Sequence, residues 1–142
     1  MIWKRQHSIE ELNAFSKGSM LEHLDIDLVE IGSDYLIARM PVDHRTRQPL
    51  GLLHGGASVA LAESMGSFAS MLMIEDPELK MPVGISINAN HVNSVREGFV
   101  FARAQPVKIG KTIHVWRIDI TDDRERLICT SRLTVMIIDR QR

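Results

Sequence analysis

The strongest constraint on the fold of this chain is one long segment, residues 57–74, which is apolar on nearly every side when drawn as a helix. Such a helix would be about 27 Å long. A helix with apolar side chains around most of its circumference has to be covered by other parts of the protein, so the segment predicts a buried central helix. Its apolar side chains are Ala57, Val59, Ala60, Leu61, Ala62, Met65, Phe68, Ala69, Met71, Leu72 and Met73.

The residues that follow this segment change to the alternating pattern that is typical of β-strands. No helix separates the four expected strands, so we expect them to pair as an antiparallel meander. Pro106 marks a bulge or an edge. The first of these strands should present Val83, Ile85, Ile87, Ala89 and His91 on one face. The four strands are expected at 83–91, 99–107, 112–121 and 127–138.

The residues before the helix begin with a capping-box pattern, because Ser8 is followed three positions later by Glu11. This pattern predicts a short helix at 9–16. Two strands and an irregular loop are then expected at 25–31, 35–40 and 42–53. The chain is thus predicted to have an α+β fold, in which an antiparallel six-stranded sheet wraps around one long central helix.

Composition and charge narrow the class of protein. A length of 142 residues predicts one domain, spanning 1–142. A net charge of −1 argues against broad electrostatic capture of nucleic acid or of a membrane surface. Residues 1–7 are basic and polar with no apolar stretch after them, and no segment is long and apolar enough to cross a bilayer, so we expect a cytoplasmic protein.

The cysteine and histidine content argues against a disulfide and against a bound metal. Cys129 is the single cysteine, so it cannot form an intramolecular disulfide. The six histidines are not spaced with one another, with the cysteine or with acids as metal ligands usually are. We therefore predict no metal site.

A narrow polar strip interrupts the apolar helix. Glu63 and Ser67 are four residues apart and Ser70 follows three later, which places them on one face beside Ser64. A buried carboxylate is usually paired, so Glu63 could bind an arginine of the sheet or cap backbone groups. It could equally be a catalytic acid whose pKa is tuned by its apolar setting. The residues support both interpretations.

The start of the helix offers a second chemical feature, His54-Gly55-Gly56. Free backbone N–H groups at a helix N-terminus favour negative charge, and glycine lets a ligand oxygen approach the backbone. A carbonyl polarised here, with a carboxylate two turns further in, would make an acyl-transfer site. A simple junction between a loop and a helix would also account for the two glycines.

Taken together, several short motifs resemble the hotdog-fold acyl-CoA thioesterases. The similarity spans essentially the whole chain. It is greatest in the branch of the phenylacetate-pathway thioesterases, with the small enzymes that act on 1,4-dihydroxy-2-naphthoyl-CoA in menaquinone synthesis and with their sister enzymes that proofread enterobactin synthesis. The motifs are Met1-Ile2-Trp3-Lys4-Arg5, Met40-Pro41-Val42-Asp43, Gly51-Leu52-Leu53-His54-Gly55-Gly56, Leu61-Ala62-Glu63-Ser64, Ile87-Asn88-Ala89-Asn90-His91-Val92 and Ser131-Arg132-Leu133-Thr134.

The resemblance implies a strand order of 1-2-4-5-6-3 and a dimer whose two sheets join, usually doubled to a tetramer, with active sites at the dimer interface. It implies that Glu63 is the catalytic carboxylate, acting as nucleophile or as base for water. The Gly55 N–H would polarise the thioester carbonyl, while His54 and Gln48 would help to orient the carbonyl and the hydrolytic water. Ser64 and Ser67 would line the acyl end.

A second set of residues is implied to hold the substrate. Phe68 and Met71 lie near the polar strip and suggest a pocket for an aryl or medium-chain acyl group. Gly84 would line the pantetheine path. Basic side chains near Gly110 could bind phosphates, although solvated turn charges are the commoner case for a lysine. Asn93 stands where close relatives often have a basic residue. The residues implied to meet coenzyme A are His91, Val92, Asn93, Ser94, Lys108, Ile109, Gly110, Lys111, Thr112 and Ile113.

The expected activity is the hydrolysis of an acyl-CoA, with an aryl-CoA such as 1,4-dihydroxy-2-naphthoyl-CoA as the leading substrate. Coenzyme A would enter as part of the substrate, so no separate cofactor is expected. Medium-chain acyl-CoA esters and an aryl-carrier protein are alternative partners of the same site. A hydratase of the same fold would use an Asp/His pair, and a non-catalytic acyl-CoA binding module would have lost the helix carboxylate. Both are disfavoured by the presence of Glu63.

Overall fold

The structure is a computed structural model that describes residues 1–141. Within these residues, three helices and six strands follow one another in chain order. The two short helices precede the first strand, and the long helix separates the first two strands from the last four. The elements are α1 (Ile9–Phe15), α2 (Met20–His23), β1 (Asp27–Ile31), β2 (Leu36–Pro41), α3 (Gly55–Leu72), β3 (Lys80–His91), β4 (Phe99–Ile109), β5 (Ile113–Thr121) and β6 (Leu127–Asp139).

The six strands form one antiparallel sheet in the order β1-β2-β4-β5-β6-β3. This is the order implied by the family resemblance, and the predicted α+β hotdog fold is confirmed. The expected meander of the last four strands holds for β4, β5 and β6 but is wrong for β3, which pairs with β6. The reason is that β4 already has β2 and β5 as its two neighbours, so the position beside β6 is the one that β3 takes at this end of the sheet.

Helix α3 lies across the inner face of the sheet and forms the core with it. Leu61, Met65 and Leu72 of the helix are at most 1% exposed, and they share one cluster with Trp116 and Leu133. Each side chain buried in this way contributes about 1.5–3 kcal/mol. The predicted central helix is therefore confirmed.

One side of α3 is not covered by the sheet, and there the expectation of burial on nearly every side is wrong. Glu63, Ser64, Ser67, Phe68 and Met71 are only half-buried because they face an open cleft. The helix also begins at Gly55 rather than at residue 57. The helix starts two residues earlier than expected because the ring of the N-cap residue, His54, accepts a backbone N–H of the first turn.

Strand β3 contains a bulge between Gly84 and Ser86 that reverses part of the expected pattern. Past the bulge, Ile87 pairs with Leu133, whose side chain faces α3, whereas Val83 pairs with the exposed Met136. The prediction that Val83 and Ile85 share a face with Ile87, Ala89 and His91 is therefore wrong. An extra residue in one strand of a pair shifts the alternation by one, and here it turns Gly84 toward the helix.

The outer edge of β3 has no pairing partner among residues 1–141. This strand runs over 12 residues, and Ile85 at its middle is 52% exposed. A long exposed edge with an apolar side chain is a template for pairing with another strand. The edge of β3 that faces away from β6 is therefore available to pair with another strand.

Candidate active site

The Glu63 side chain lies in the wall of the cleft without a partner in the described structure, since neither a hydrogen bond nor an ion pair of its carboxylate is found within residues 1–141. It does not pair with an arginine of the sheet. It approaches Gly84 of β3, where an added Cβ would stand 2.9 Å from the Glu63 Oε2 atom. The glycine thus provides the space that the carboxylate occupies.

The cleft has a volume of about 730 Å³ and lies between α3, the α1–α2 segment and the first residues of β3. Ser64, Ser67 and Phe68, the residues expected at the acyl end, all lie in its wall. The Ser64 hydroxyl donates a hydrogen bond to the Ala60 carbonyl at 2.6 Å, so its proton is directed along the helix. Mostly apolar walls with a few polar groups are typical of small-molecule sites.

Several cleft residues escaped prediction from the sequence because they come from distant parts of the chain. Phe15 of α1 is 71% exposed and packs edge-to-face on Phe68, with 6.4 Å between the ring centres. An exposed aromatic residue on a short helix was the one available signal. The other unpredicted residues are Arg5, Ser16, Ser19, Leu21, Ile74, Pro77, Lys80, Met81, Pro82 and Arg140.

The start of α3 carries a free backbone donor. As the first residue of the helix, Gly55 has no intrahelical acceptor for its N–H, and no other acceptor is found for it in the part of the chain that is described. The His54 Nδ1 atom accepts the Gly56 N–H at 2.7 Å. A neutral His54 therefore carries its proton on Nε2. The His91 ring stands over Gly55, with Nε2 2.8 Å from the position of an added Cβ.

The two halves of the expected chemistry are separated in a single chain. Gly55 and Glu63 are eight residues apart in one helix, which places them about 12 Å apart along its axis. One thioester carbonyl cannot contact both groups at that distance. The expectation drawn from the helix alone, a carbonyl held between its start and a carboxylate two turns further in, is therefore wrong for an isolated chain.

The Gln48 side chain is directed into its own loop in this structure. Its Oε1 atom accepts the backbone N–H groups of Leu50 and Leu52. The loop is fixed to the helix start because the His54 N–H donates to the Thr46 carbonyl at 2.8 Å. Gln48 is thus on the His54 side of the molecule and is not part of the cleft wall that holds Glu63.

The bend after β3 is well tied to its surroundings. Asn93 donates a side-chain hydrogen bond to the Leu127 carbonyl at 2.7 Å, and Arg126 donates one to the Ser94 carbonyl at 3.1 Å. The Val92 N–H donates to the Ile128 carbonyl at 2.9 Å. Asn93 therefore has a structural role in holding the bend.

The loop between β4 and β5 lies at the other end of the sheet from that bend. It is a tight turn in which the Gly110 N–H donates to the Ile113 carbonyl at 2.8 Å. Ile113 of β5 pairs with Met136 of β6, which pairs in turn with Val83 of β3, so Ile113 and Val83 lie level with each other in the sheet. Val83 lies eight residues from His91, or about 26 Å along the strand. The residues predicted to meet coenzyme A, His91–Ser94 and Lys108–Ile113, are therefore not brought together within one chain.

Residues 1–141 give no support to a metal site, a membrane-spanning helix or a cysteine nucleophile. No group of three or more His, Cys, Asp or Glu side chains in that range could hold a metal ion. No helix over the same residues is long and apolar enough to cross a membrane. Cys129 is buried, and burial raises the pKa of its thiol, which opposes formation of the nucleophilic thiolate.

Comparisons with known proteins identify the family of the chain. Residues 50–129 match the Thioesterase superfamily. The chain is 54% identical to 1,4-dihydroxy-2-naphthoyl-CoA hydrolase of Escherichia coli over 97% of this chain and 100% of that protein. It is 49% identical to the proofreading thioesterase EntH of Cronobacter sakazakii, over 97% and 99% of the two chains.

Solved structures show the same architecture. The crystal structure of a thioesterase from Haemophilus influenzae superposes with a TM-score of 0.94 at 49% identity, covering 98% of this chain and 96% of that one. A thioesterase from Pseudomonas aeruginosa gives a TM-score of 0.96 at 42% identity, covering 99% and 100%. The chain therefore belongs to the thioesterase superfamily, and it is a thioester hydrolase of the hotdog fold.

Proposed function

We propose that the protein hydrolyses aryl-CoA thioesters, such as 1,4-dihydroxy-2-naphthoyl-CoA, to the free acid and coenzyme A. The observation that carries this proposal is the unpaired Glu63 carboxylate in the wall of a mostly apolar cleft. By its name, one of the two relatives above acts on this aryl-CoA, and the other acts in proofreading. They are 54% and 49% identical to this chain. The cleft beside Phe68 suits an aryl acyl group.

In the proposed reaction Glu63 either attacks the thioester carbonyl or removes a proton from the attacking water. Negative charge develops on the carbonyl oxygen, and the free Gly55 N–H at the positive end of the helix stabilises it. The carbon–sulfur bond then breaks, and coenzyme A leaves as the thiol after taking up a proton. On the nucleophilic route, water then hydrolyses the anhydride between the acyl group and Glu63 and regenerates the carboxylate; on the general-base route, the attacking water itself supplies the new oxygen of the released acid. No metal or separate cofactor takes part.

The reacting groups meet when two copies pair through the open edges of β3. In an antiparallel pair centred between Ile87 and Asn88, Gly84 of one copy lies level with His91 of the other. Gly84 contacts Glu63, and His91 contacts Gly55. The Glu63 carboxylate of one copy then faces the Gly55 N–H of the other, so each dimer holds two composite sites.

The same pairing brings the two proposed coenzyme A segments together. Ile113 of the Lys108–Ile113 loop lies level with Val83, two strands or about 10 Å across the sheet. In this register Val83 lies level with Val92 of the other copy, so the loop and the His91–Ser94 bend of the other copy lie at the same end of the joined sheet. Lys108 and Lys111 would bind phosphates there. His54 and Gln48 of the second copy would orient the carbonyl and the water.

We further propose a cytoplasmic homodimer that doubles to a tetramer. The exposed edge of β3 favours association, because an uncovered strand edge recruits another strand. An aryl-carrier protein is a second candidate for the thiol partner, and a medium-chain acyl group is a second candidate for the cleft. These alternatives rest on the 49% identity to EntH and on the apolar side chains of the cleft wall.

Substitution of Glu63 by glutamine tests the proposed role of the carboxylate. The amide keeps the shape of the side chain but cannot act as nucleophile or base, so we expect kcat to fall at least about 100-fold. The Tm should remain near that of the wild type because Glu63 has no partner to lose. Free-thiol release is measured with aryl-CoA, medium-chain acyl-CoA and aryl-carrier-protein substrates.

Glu75→Gln is the matched control, because Glu75 is an exposed carboxylate just beyond α3 that pairs with Lys4 on the surface. It should leave kcat unchanged. A folded Glu63→Gln protein that keeps a tenth of wild-type turnover would rule out the proposed role. The substrate with the highest kcat/KM decides between coenzyme A and a carrier protein.

A further inference from the structure

Three basic side chains line one end of the cleft, and they have no role in the chemistry proposed above. They are Arg5, Lys80 and Arg140. Among residues 1–141, Glu63 is the one carboxylate in the cleft wall. The described lining of the cleft is therefore net positive, although the whole chain carries a net charge of −1.

These cations are gathered at the C-terminal end of α3, away from Glu63. The backbone N–H of Arg5 donates to the Leu72 carbonyl at 3.2 Å, and the backbone N–H of Arg140 donates to the Leu79 carbonyl at 2.9 Å. Leu72 is nine residues beyond Glu63, or about 14 Å along the helix. The three residues come from the N-terminus, the start of β3 and the segment after β6, so the fold brings together parts of the chain that are far apart in sequence.

The cations are only partly neutralised by the residues around them. Lys80 forms an ion pair with Asp139, which is itself largely exposed. Arg140 donates through Nε to the Pro77 carbonyl, which carries no charge. The Arg5 Nη2 atom lies 3.0 Å from the Nε2 atom of His7. When the His7 imidazole is neutral, this nitrogen accepts a hydrogen bond from the guanidinium. Both guanidinium groups thus retain donors for an anion.

The wall between Glu63 and these cations is apolar. Phe68 and Met71 of α3, and Ile74 two residues beyond its end, all line the cleft on this side. A ligand that extends from Glu63 to the basic end must therefore have an apolar body. Arginine binds carboxylates with paired hydrogen bonds, which are stronger than those between neutral groups.

We propose that this end of the cleft is a subsite for an acidic group at the far end of the acyl chain. Among the acyl groups that the cleft takes, those with an apolar body and a terminal carboxylate are then favoured over neutral groups of the same length. This inference rests on the proposed function of the cleft and specifies the class of acyl group it takes. Arg5 and Arg140 are the specificity-determining residues.

The test has to separate this subsite from one that binds the phosphates of coenzyme A. N-acetylcysteamine thioesters have no phosphate, so they report on the acyl group alone. We would compare the octanoyl thioester with the mono-thioester of octanedioic acid, which has the same chain length and a terminal carboxylate. The wild type is measured beside Arg5→Gln and Arg140→Gln. Lys4→Gln is the matched control, since Lys4 is the neighbouring cation and lies outside the cleft.

We expect the wild type to favour the acidic thioester in kcat/KM. In Arg5→Gln, and in Arg140→Gln, the ratio of kcat/KM for the acidic thioester to that for the neutral one should fall about tenfold or more, as for other hydrogen bonds to charged groups. Lys4→Gln should keep the wild-type ratio. Hydrolysis of the neutral thioester should persist in every variant.

An unchanged ratio in both arginine variants would overturn the subsite. So would an effect that appears with coenzyme A thioesters and is absent with N-acetylcysteamine thioesters, because the cations would then bind phosphates. Failure of the proposed function has a different signature, because the wild type would then release no thiol from an aryl-CoA that is assayed beside the two N-acetylcysteamine thioesters.

Discussion

Two glycines determine where the groups assigned to the chemistry stand. Gly84 leaves room for the Glu63 carboxylate, and Gly55 presents its N–H beneath the His91 ring. Any side chain at either position would meet an atom within 3 Å. In both cases the obstacle is the end of a flexible side chain, so the structure can yield at little cost in folding. The consequence of a substitution should therefore appear in catalysis.

Gly84→Ala should lower kcat and leave the fold intact. The new methyl group would stand 2.9 Å from the Glu63 Oε2 atom and push the carboxylate aside. A displacement of about 1 Å at the reacting atoms can reduce rate about 100-fold. We expect a 10- to 100-fold loss in kcat with nearly unchanged Tm, measured by thiol release and thermal unfolding. Ser86→Ala, on the opposite face of β3, is the control, and equal kcat in the two variants would contradict the placement of Glu63.

Gly55→Pro tests the backbone donor directly. Proline is well tolerated at the first residue of a helix, and His54, with φ −68° and ψ 131°, already has the conformation required before proline. The substitution removes the N–H, and we expect kcat to fall about 100- to 1,000-fold. Gly55→Ala crowds His91 similarly but keeps the N–H. If the two variants have the same kcat, the donor has no role in the reaction.

Among individual residues, the sequence predicts the side chains of α3 that line the cleft, but it does not predict the cleft residues that other elements contribute. Glu63 stands out because it is the one acid in an apolar helix, and Ser67 and Phe68 follow from helical spacing. Ser70 was assigned to the same polar strip, but it turns toward β5 and is fully buried. Arg5 and Arg140 could not be predicted, since only tertiary folding brings the two ends of the chain to the cleft.

At the scale of elements, α3 and β5 are joined by a buried polar network. The Trp116 Nε1–H donates to the Ser70 hydroxyl oxygen at 2.7 Å, and the hydroxyl lies 2.9 Å from His114 Nδ1. Both Ser70 and His114 are at most 4% exposed. Burial lowers the pKa of His114, and a backbone hydrogen bond with Gly110 offsets part of that effect. The folded protein thus favours the neutral imidazole.

This network predicts a pH-dependent stability. Because the pKa of His114 is lower in the folded protein than in the unfolded chain, its contribution is complete above the unfolded value of about 6.5 and is lost as pH falls below it. We expect the wild-type Tm to fall between about pH 8 and about pH 5, and to fall less in His114→Gln. Asp43, whose pKa Arg45 holds at about 2, titrates outside this range.

Thermal unfolding at a series of pH values measures the effect. His23→Gln changes an exposed histidine and should keep the wild-type dependence. Ser70→Ala should lower stability by about 1–3 kcal/mol at every pH, because Trp116 loses its acceptor. An identical pH dependence in wild type and His114→Gln would contradict this account.

Local signals predicted some elements well. The capping box at Ser8 and Glu11 is present, and the irregularity expected at Pro106 is a bulge in the pairing with β5. The bulge of β3 at Gly84 and the short helix Met20–His23 escaped prediction. A bulge is fixed by pairing with another strand, and a helix of four residues is too short to leave a periodic pattern.

At the scale of the whole molecule, a single chain has every proposed catalytic group but cannot assemble them. The helix start and the Glu63 carboxylate are about 12 Å apart along the helix. The two segments proposed to bind coenzyme A lie at opposite ends of the sheet. The open edge of β3 offers one pairing that resolves both separations. The composite site is therefore the central claim of our proposal.

Complementation between two inactive variants tests this claim most directly. Glu63→Gln and Gly55→Pro proteins are mixed in equal amounts, unfolded and refolded together so that the chains exchange. In a heterodimer, one site combines the intact Gly55 of the first chain with the intact Glu63 of the second. Random pairing should then restore about a quarter of wild-type activity per chain, because half of the dimers have one of two sites intact.

Each variant refolded alone controls for residual activity, and Glu63→Gln mixed with itself should recover nothing. We predict that the mixture rises well above the mean of the two separate variants and approaches a quarter of the wild type. If each site were built within one chain, both chains of every heterodimer would be defective. Activity of the mixture equal to that mean, with exchange of chains verified by mass, would contradict the composite site.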